Sequence, residues 1–326
     1  MSAILNLAVG PIRLAALAAA AGAGALAVLA LGGAFSRWLD VLTHFAPLYA
    51  LVCLAAILLR LATGLDGGRL TYAVAAAGLA AALALIAPDA LAALKQRPAA
   101  PAGETLKLIQ FNLWNENRDP EAAARWLAAQ DADVVVLEEA NDVAARVPHL
   151  LKAAYPYQTT CAPPWPCSTR ILTRRPPSAF AGLQGAVSPY RLSAAWVTLG
   201  EGDKAFTVAG THYTWPVPPG PQQSQMRRMR QALAGFDPSS LILAGDMNST
   251  PWSFALRRQD RALGLVRRTH GLFSWPAAPF AHGRLRSPLP FLAIDQVYAG
   301  RTWRTVSVTR GPYLGSDHFP VVVVLT

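Results

Sequence analysis

Polar side chains suited to metal binding and proton transfer occur at the ends of short apolar runs in the last two thirds of the chain. They are Asn112, Glu138, Glu139, His212, Asp246, Asn248, Asp317 and His318. Carboxylates and amides at the edge of a hydrophobic core cost free energy unless another group compensates them. Oxygen ligands of this kind bind hard divalent cations such as Mg²⁺, and histidines transfer protons near neutral pH. The residue types therefore suit a metal-assisted reaction with proton transfer.

Each of these motifs also has a non-functional interpretation when it is taken alone. An asparagine after a strand is typical of a turn, and GDMN at 245–248 is a common turn sequence. The pair Glu138 and Glu139 suits the N-terminus of a helix, where acidic groups interact favourably with the dipole. All of the motifs lie at strand ends in one order, however, and this favours a shared function.

The hydrophobic pattern predicts the strands and helices that would position these residues. Strands are predicted at Leu106–Leu113, Val134–Leu137, Ala194–Leu199, Ala205–His212, Leu241–Ala244, Ile294–Tyr298 and Pro320–Leu325. Helices are predicted at Pro120–Gln130, Gln222–Ala234 and Trp252–Leu263. The elements do not follow the strict β-α-β rhythm of a doubly wound sheet, and no glycine-rich phosphate loop follows a strand. A mixed α/β sandwich fits better.

Six segments carry the polar motifs in a fixed order. They are FNLW (111–114), DVVVLEEA (133–140), GTHY (210–213), LAGDMNSTPWS (243–253), IDQVYAG (294–300) and GSDHFPVVV (315–323). This set, above all GDxNxxPxS with a C-terminal SDHxP, resembles the endonuclease/exonuclease/phosphatase superfamily, the DNase I-like fold. The resemblance covers essentially all of residues 105–326. It implies a four-layer α/β sandwich, two packed mixed β-sheets flanked by helices, with the active site at one edge. It also implies hydrolysis of phosphodiesters or phosphomonoesters with Mg²⁺ or Mn²⁺.

The resemblance assigns metal binding to three residues, Asn112, Glu139 and Asp317. The family usually has Gln-Glu after the buried second strand, whereas this chain has Glu138 before Glu139. Glu139 aligns with the ligand, and Glu138 is a competing carboxylate. We therefore expect a Mg²⁺ or Mn²⁺ site near the ends of the first two strands.

The resemblance assigns the remaining site residues to phosphate binding and proton transfer. His212 matches the histidine that contacts the scissile phosphate or assists the leaving oxygen. Asp246 and Asn248 match the pair that orients the attacking water and holds the phosphate. His318 matches the general base, and Asp295 matches the carboxylate that orients it, as the aspartate of a serine-protease triad does.

The first hundred residues are apolar and carry nine charges, whereas residues 101–326 carry thirty-nine, with an excess of seven basic groups. Leu14–Phe35, Val41–Leu59 and Leu70–Ala87 contain no charged residue, and each is long enough to cross a membrane. We predict three transmembrane helices within residues 1–94, a proline-containing linker at 95–104 and a catalytic domain at 105–326. A signal peptide followed by two spans is the alternative interpretation of the first segment.

The orientation in the membrane rests on two cysteines. Basic residues flanking the spans are tied at three on each side, so they favour neither orientation. Cys161 and Cys167 are six residues apart, and a disulfide between them would persist only in an oxidising compartment. Two free thiols in a loop are the alternative. We expect a bacterial inner-membrane protein whose catalytic domain faces away from the cytoplasm.

The substrate stays open at the level of sequence. Arginine clusters at 227–230, 257–258 and 267–268 would attract phosphates or anionic lipid headgroups, or would be solvated helix faces. Nucleic acid, a lipid headgroup and a small phosphoester are the candidate substrates, and no protein partner is indicated. A catalytically idle membrane scaffold is the competing class. The composition excludes a disordered, collagenous or disulfide-scaffold protein.

Overall fold

A computed structural model describes residues 2–63, 68–101, 103–161, 167–183, 191–278, 287 and 289–326. The chain forms two compact units. One contains Met1–Leu91 with Trp252–Ala255, and the other contains Ala92–Pro251 with Leu256–Thr326. We describe each unit separately.

The first unit is helical. It contains α1 (Ser2–Ala30), α2 (Arg37–Thr43), α3 (Ala46–Thr63) and most of α4 (Arg69–Lys95). Two segments of the described chain, Arg13–Ala34 and Arg69–Lys95, are long and apolar enough to cross a membrane. The predicted span at Val41–Leu59 falls on α2 and α3, which are bent by 58° relative to one another and make a third span only if they are counted together.

Small residues allow the helices of this unit to pack closely. A Cβ atom added to Gly78 of α4 would lie 2.3 Å from the Cα atom of Gly24 in α1, so neither position tolerates a side chain there. A buried cluster joins Ala20 of α1, Cys53 of α3 and Ala75 of α4. Close approach through glycine and alanine is the packing mode of helices in lipid, where apolar burial gives no advantage.

The second unit is built from two sheets and short helices. Its strands are β1 (Leu106–Asn112), β2 (Val134–Glu138), β3 (Tyr157–Thr160), β4 (Arg170–Thr173), β5 (Ala179–Gly182), β6 (Ser193–Leu199), β7 (Phe206–His212), β8 (Ile242–Asp246), β9 (Val266–Arg267), β10 (Asp295–Ala299), β11 (Thr305–Arg310) and β12 (Val321–Leu325). The remaining helices are α5 (Pro120–Ala129), α6 (Arg146–Leu150), α7 (Pro219–Leu233) and α8 (Phe254–Leu263).

The two sheets share the same internal plan. The first has the order β11-β12-β1-β2-β4-β3 and the second β5-β6-β7-β8-β10-β9. In each sheet one parallel pair, β1 with β2 or β7 with β8, is flanked by antiparallel neighbours. The chain between the two parallel strands contains α5 in one case and α7 in the other, as a parallel connection requires.

The hydrophobic core lies between the inner faces of the sheets. Leu108 and Val136 from the first sheet pack in one buried cluster with Val208, Ile242 and Val297 from the second. Residues on the opposite face of the first sheet, such as Phe111 and Leu137, pack with Leu127 of α5. The predicted class, two packed mixed β-sheets flanked by helices, is confirmed.

Candidate active site

Side chains alternate between the two faces of a strand, so polar residues near the strand ends lie on the same inner face as the core residues. In β1, Leu108 is followed on that face by Gln110 and Asn112, because side chains two residues apart point the same way. Strand register then sets Asp246 beside both His212 and Asp295, and Asn112 beside Glu138. The carboxyl ends of the parallel strands and the amino end of β10 therefore meet at one edge.

His318 and Asp295 form a buried pair at this edge. The Nδ1 atom of His318 lies 2.8 Å from a carboxylate oxygen of Asp295, and their side chains are 5% and 0% exposed. Burial disfavours the charged imidazolium, but the adjacent Asp295 carboxylate, with Asp246 and Asp317, raises the pKa of His318 well above its usual value. Asp295 experiences the converse effect, since His318 outweighs burial and lowers the pKa of its carboxyl group.

Gln110 lies beneath this pair and was not identified from the sequence. Its side-chain amide donates to Asp295 at 2.7 Å and to Glu138 at 2.9 Å. Burial, with the nearby Asp295 carboxylate, raises the pKa of Glu138 well above its usual value and so favours its neutral form. Gln110 thus holds Asp295 from the side opposite His318. The available signal was its position in β1, on the same face as Asn112.

Asp246 occupies the centre of the cluster. Its Oδ2 atom lies 3.0 Å from the amide nitrogen of Asn112, 3.6 Å from Nε2 of His212 and 3.7 Å from Nε2 of His318. Burial, opposed by His318, raises the pKa of Asp246 to about 6. Asn248 is held by the same carboxylate, because its backbone N–H donates to Oδ1 of Asp246 at 2.7 Å.

Asn248 and His212 are in direct contact beside Asp246. The amide nitrogen of Asn248 lies 3.1 Å from Nε2 of His212 and donates to the carbonyl of Tyr213 at 2.9 Å. Asn248 has a positive φ of 43°, a conformation that asparagine tolerates better than most residues. The side chain of Gln222 in α7 donates to the carbonyl of Asn248 at 3.0 Å and so fixes this turn.

Asn112 and Glu139 form the oxygen-rich side of the site. The amide of Asn112 donates to Glu139 at 3.1 Å, and a Glu139 oxygen lies 3.8 Å from Nε2 of His212. Burial would raise the pKa of Glu139, but His212 and the hydrogen bond from Asn112 lower it, so the carboxylate form is favoured. Glu139 is more open than Asp246, with 27% of its side chain exposed against 1%.

The donor set fits a hard divalent cation. Asp246, Asp295 and His318 offer ligand atoms within 4.8 Å of one another. The oxygens of both Asp295 and Glu139 already accept hydrogen bonds, but Asp295 is fully buried whereas 27% of the Glu139 side chain is exposed. The accessible Glu139 carboxylate, with the side-chain oxygen of Asn112, is the better match to a cation that prefers oxygen ligands.

Asp317 lies on the His318 side of the site. One of its carboxylate oxygens accepts from the indole N–H of Trp275 at 3.1 Å, and the other lies 3.9 Å from Nε2 of His318. The structure therefore brings Asp317 together with His318 and Trp275. Among the described residues, no hydrogen bond or ion pair joins the Asp317 side chain to Asn112 or Glu139.

Aromatic and aliphatic side chains extend outward from Trp275. Trp275 packs edge-on against Trp215 at 6.4 Å and against Phe291 at 5.7 Å. Trp215 is 63% exposed and its neighbour Val217 is 59% exposed. An apolar rim of Trp215 and Phe291, both packed on Trp275, thus borders the Asp317 side of the site.

Cys161 and Cys167 are joined in a disulfide with a Cα–Cα separation of 5.5 Å. The Sγ atom of Cys167 lies 3.1 Å from the hydroxyl of Ser193. That hydroxyl also accepts from the backbone N–H of Thr169 at 3.1 Å. The bridge therefore closes the segment before β4 and lies next to the start of β6.

The two packed mixed sheets and the polar cluster at one edge define a DNase I-like fold. The chain belongs to the endonuclease/exonuclease/phosphatase family, whose model matches residues 109–318. This region contains all eight residues that the sequence assigned to catalysis and metal binding. The recognition made from the motifs is confirmed.

Solved structures with this fold are similar to the chain. SmcL is 17% identical with a TM-score of 0.54, over 68% of this chain and 99% of that one. Sphingomyelinase C from Streptomyces griseocarneus is 20% identical with a TM-score of 0.50 over the same shares. A beta toxin variant from Staphylococcus aureus with bound magnesium ions is 13% identical with a TM-score of 0.50, again over 68% and 99%. No curated protein matches the sequence. At these identities the likeness establishes the fold.

Proposed function

We propose that this protein is a membrane-anchored, divalent-metal-dependent hydrolase of phosphodiester or phosphomonoester bonds. The observation that carries the proposal is one edge cluster in which the His318–Asp295 pair faces Asp246, with Glu139 and Asn112 on the other side. A general base, a central carboxylate and oxygen ligands are the parts that metal-assisted hydrolysis requires.

Proton transfer is assigned to His318. Its Nδ1 atom is engaged by Asp295, so Nε2 is the nitrogen that faces Asp246 and, when the imidazole is neutral, takes the proton of the attacking water. Asp295 holds the ring in that orientation and stabilises the imidazolium that forms. Gln110 holds Asp295 in turn.

Glu139 and Asn112 would hold the metal ion, which neutralises phosphate charge and lowers the pKa of a bound water when it is present. His212 and Asn248 lie together beside Asp246 and would contact the oxygens of the scissile phosphate. His212 would also protonate the leaving oxygen.

Membrane anchoring is supported by α1 and α4, and by α2 with α3 if they form one bent span. Three spans would put the two ends of the chain on opposite sides of the membrane. The disulfide of Cys161 and Cys167 supports a catalytic domain outside the cytoplasm. A reporter active only outside the cytoplasm, fused after Thr326, tests this orientation. A silent reporter with an active cytoplasmic one at the same site contradicts it.

A lipid headgroup is the favoured substrate class, ahead of nucleic acid. The exposed Trp215 next to Trp275 forms a rim that suits an apolar or interfacial substrate, because tryptophan favours the boundary between lipid and water. Base stacking on Trp215 is the feature that would favour a nuclease.

The test is hydrolysis by the full chain with Mg²⁺ or Mn²⁺ against DNA, RNA, phospholipids and nucleotide esters. We expect phospholipid cleavage that is lost by orders of magnitude in Asp246→Ala and His318→Ala, and kept in the exposed control His149→Ala. Cleavage of nucleic acid alone would exclude the lipid assignment. Inactivity against every substrate would instead support a membrane scaffold, and wild-type activity in His318→Ala would contradict the mechanism.

A further inference from the structure

A cavity of about 560 Å³ lies in the unit that contains the two sheets. None of the candidate active-site residues lines it. The end of α4 and the following linker form one wall, through Lys95 and Arg97. Residues 266–268 and 270 form the second wall, and Trp303, Arg304 and Thr305 before and within β11 form the third.

The lining is strongly basic. Its charged side chains are Lys95, Arg97, Arg267, Arg268 and Arg304, with His270 beside them. Among the described residues that line the cavity, none is acidic. Arg267 is neutralised by an ion pair with Asp260. The remaining cations repel one another across the cavity, and an anion between them would relieve that repulsion.

Arg268 provides a fixed positive charge in the wall. Its guanidinium donates to the carbonyls of Gly300 at 2.8 Å and Trp303 at 2.9 Å. These partners are neutral, and no carboxylate of the described residues pairs with Arg268. The side chain of Gln96 donates to the backbone carbonyl of Arg268 at 2.8 Å and ties the linker to this wall. The cavity is therefore held together by specific contacts.

The cavity lies at the end of a candidate membrane span. Lys95 is the last residue of α4, eight residues beyond the apolar stretch that ends at Ala87. Eight helical residues extend about 12 Å, and a lysine side chain reaches back toward the interface by snorkelling. Lys95 thus falls at the level of lipid headgroups if α4 crosses a membrane.

We propose that this cavity binds the phosphate group of an anionic membrane lipid. The inference rests on the membrane anchoring in the proposed function, and it does not depend on catalysis. Phosphate is the shared chemistry of a lipid headgroup and of free inorganic phosphate, and the position of Lys95 favours the lipid. Binding would fix the linker against the sheet unit at the membrane surface.

The test uses the full chain in an uncharged detergent with EDTA, which suppresses metal-dependent phosphate binding at the catalytic edge. Soluble dihexanoyl phosphatidic acid, dihexanoyl phosphatidylcholine and inorganic phosphate are titrated separately while the melting temperature is measured. We expect a saturable rise with phosphatidic acid and a much smaller response to the other two. No response to phosphatidic acid, or an equal response to phosphatidylcholine, overturns the proposal, and an equal response to inorganic phosphate assigns the cavity to free phosphate instead.

Charge removal localises the binding. Combined Lys95→Gln, Arg97→Gln and Arg304→Gln should weaken the affinity by about fivefold for each charge removed. These side chains are exposed, so the fold should be retained. Unchanged affinity in this variant overturns the proposal.

A matched control removes three exposed arginines that do not line the cavity, by Arg125→Gln, Arg261→Gln and Arg301→Gln. The control should bind phosphatidic acid as the wild type does. If it lost as much affinity as the cavity variant, the effect would be due to net charge and the proposal would be overturned. Hydrolysis of a soluble diester with Mg²⁺ should be unchanged in the cavity variant, whereas His318→Ala should lose hydrolysis and keep binding. The two results separate failure of this inference from failure of the catalytic proposal.

Discussion

The Nδ1 atom of His318 lies 2.8 Å from a carboxylate oxygen of Asp295, and both side chains are buried. Asp295 begins β10 of the second sheet, and His318 lies in the segment that precedes β12 of the first sheet. The pair therefore exists only when the two sheets are packed together. This dependence makes it a sensitive probe of the assigned mechanism.

The two residues of this pair should act as one unit. Asp295→Asn removes the charge that orients and stabilises the imidazolium, and we expect kcat/KM to fall by about 10²- to 10⁴-fold. The double variant Asp295→Asn with His318→Ala should be no slower than His318→Ala alone. Both effects are measured by steady-state kinetics on variants whose circular dichroism matches that of the wild type. If the losses in kcat/KM of the two single variants multiply in the double variant, the residues are not coupled.

Gln110 should be required for both stability and rate. Gln110→Leu leaves the buried carboxyl groups of Glu138 and Asp295 without their shared donor, which we expect to cost about 1–3 kcal/mol of unfolding free energy. The value of kcat should fall because Asp295 loses one of its two anchors. Denaturant unfolding and kinetics report the two effects. Gln231→Leu, an exposed change on α7, is the control, and equal behaviour of the two variants would remove the assigned role.

Adjacent glutamates should differ in their effect on metal dependence. Glu139→Gln removes the proposed carboxylate ligand, and we expect the metal concentration for half-maximal activity to rise by at least about tenfold. Glu138→Gln is the matched control, because burial already favours the neutral form of Glu138. EDTA should abolish activity in the wild type, with recovery on adding Mg²⁺ or Mn²⁺. A larger metal effect from Glu138→Gln would transfer the ligand assignment to Glu138.

The disulfide should contribute measurably to stability. Its loop closes over six residues of sequence separation, and the chain-entropy model assigns a loop of this size about 2 kcal/mol. Cys161→Ser with Cys167→Ser should therefore lower the unfolding free energy by about that amount. Reduction of the wild type should reproduce the loss. The control variant Cys53→Ser keeps the bridge in oxidising buffer and should not show this loss there. Equal stability of wild type and double variant in oxidising buffer would contradict the prediction.

Gly245 should be intolerant of any side chain. It has a φ of +155°, and an added Cβ would lie 1.8 Å from the carbonyl oxygen of Thr211 in the neighbouring strand. Gly245→Ala must separate β7 from β8 directly beside Asp246, so we expect loss of soluble, folded protein. Gly235→Ala is the control, since nothing lies within 4 Å of its added Cβ. Recovery of both variants at wild-type melting temperature would contradict this reading of the backbone.

The strands that carry the site were predictable because their signal is local. Val134–Leu137 and Leu241–Ala244 are continuous apolar runs, and they coincide with β2 and β8 to within one or two residues. Strand β11 was missed because it is only partly apolar and ends in arginine. Strand β9 is two residues long and has no pattern to detect.

Local motifs predicted roles for Asp246, Asn248 and His318, since each lies in a short segment whose order along the chain is distinctive. The contacts of Gln110 and Asp317 depend on how the sheets pack. Gln110 meets Asp295 across 185 positions of sequence, and Asp317 meets Trp275 across 42. No spacing rule encodes such pairs, because they form where packed sheets bring the ends of distant strands within hydrogen-bonding distance.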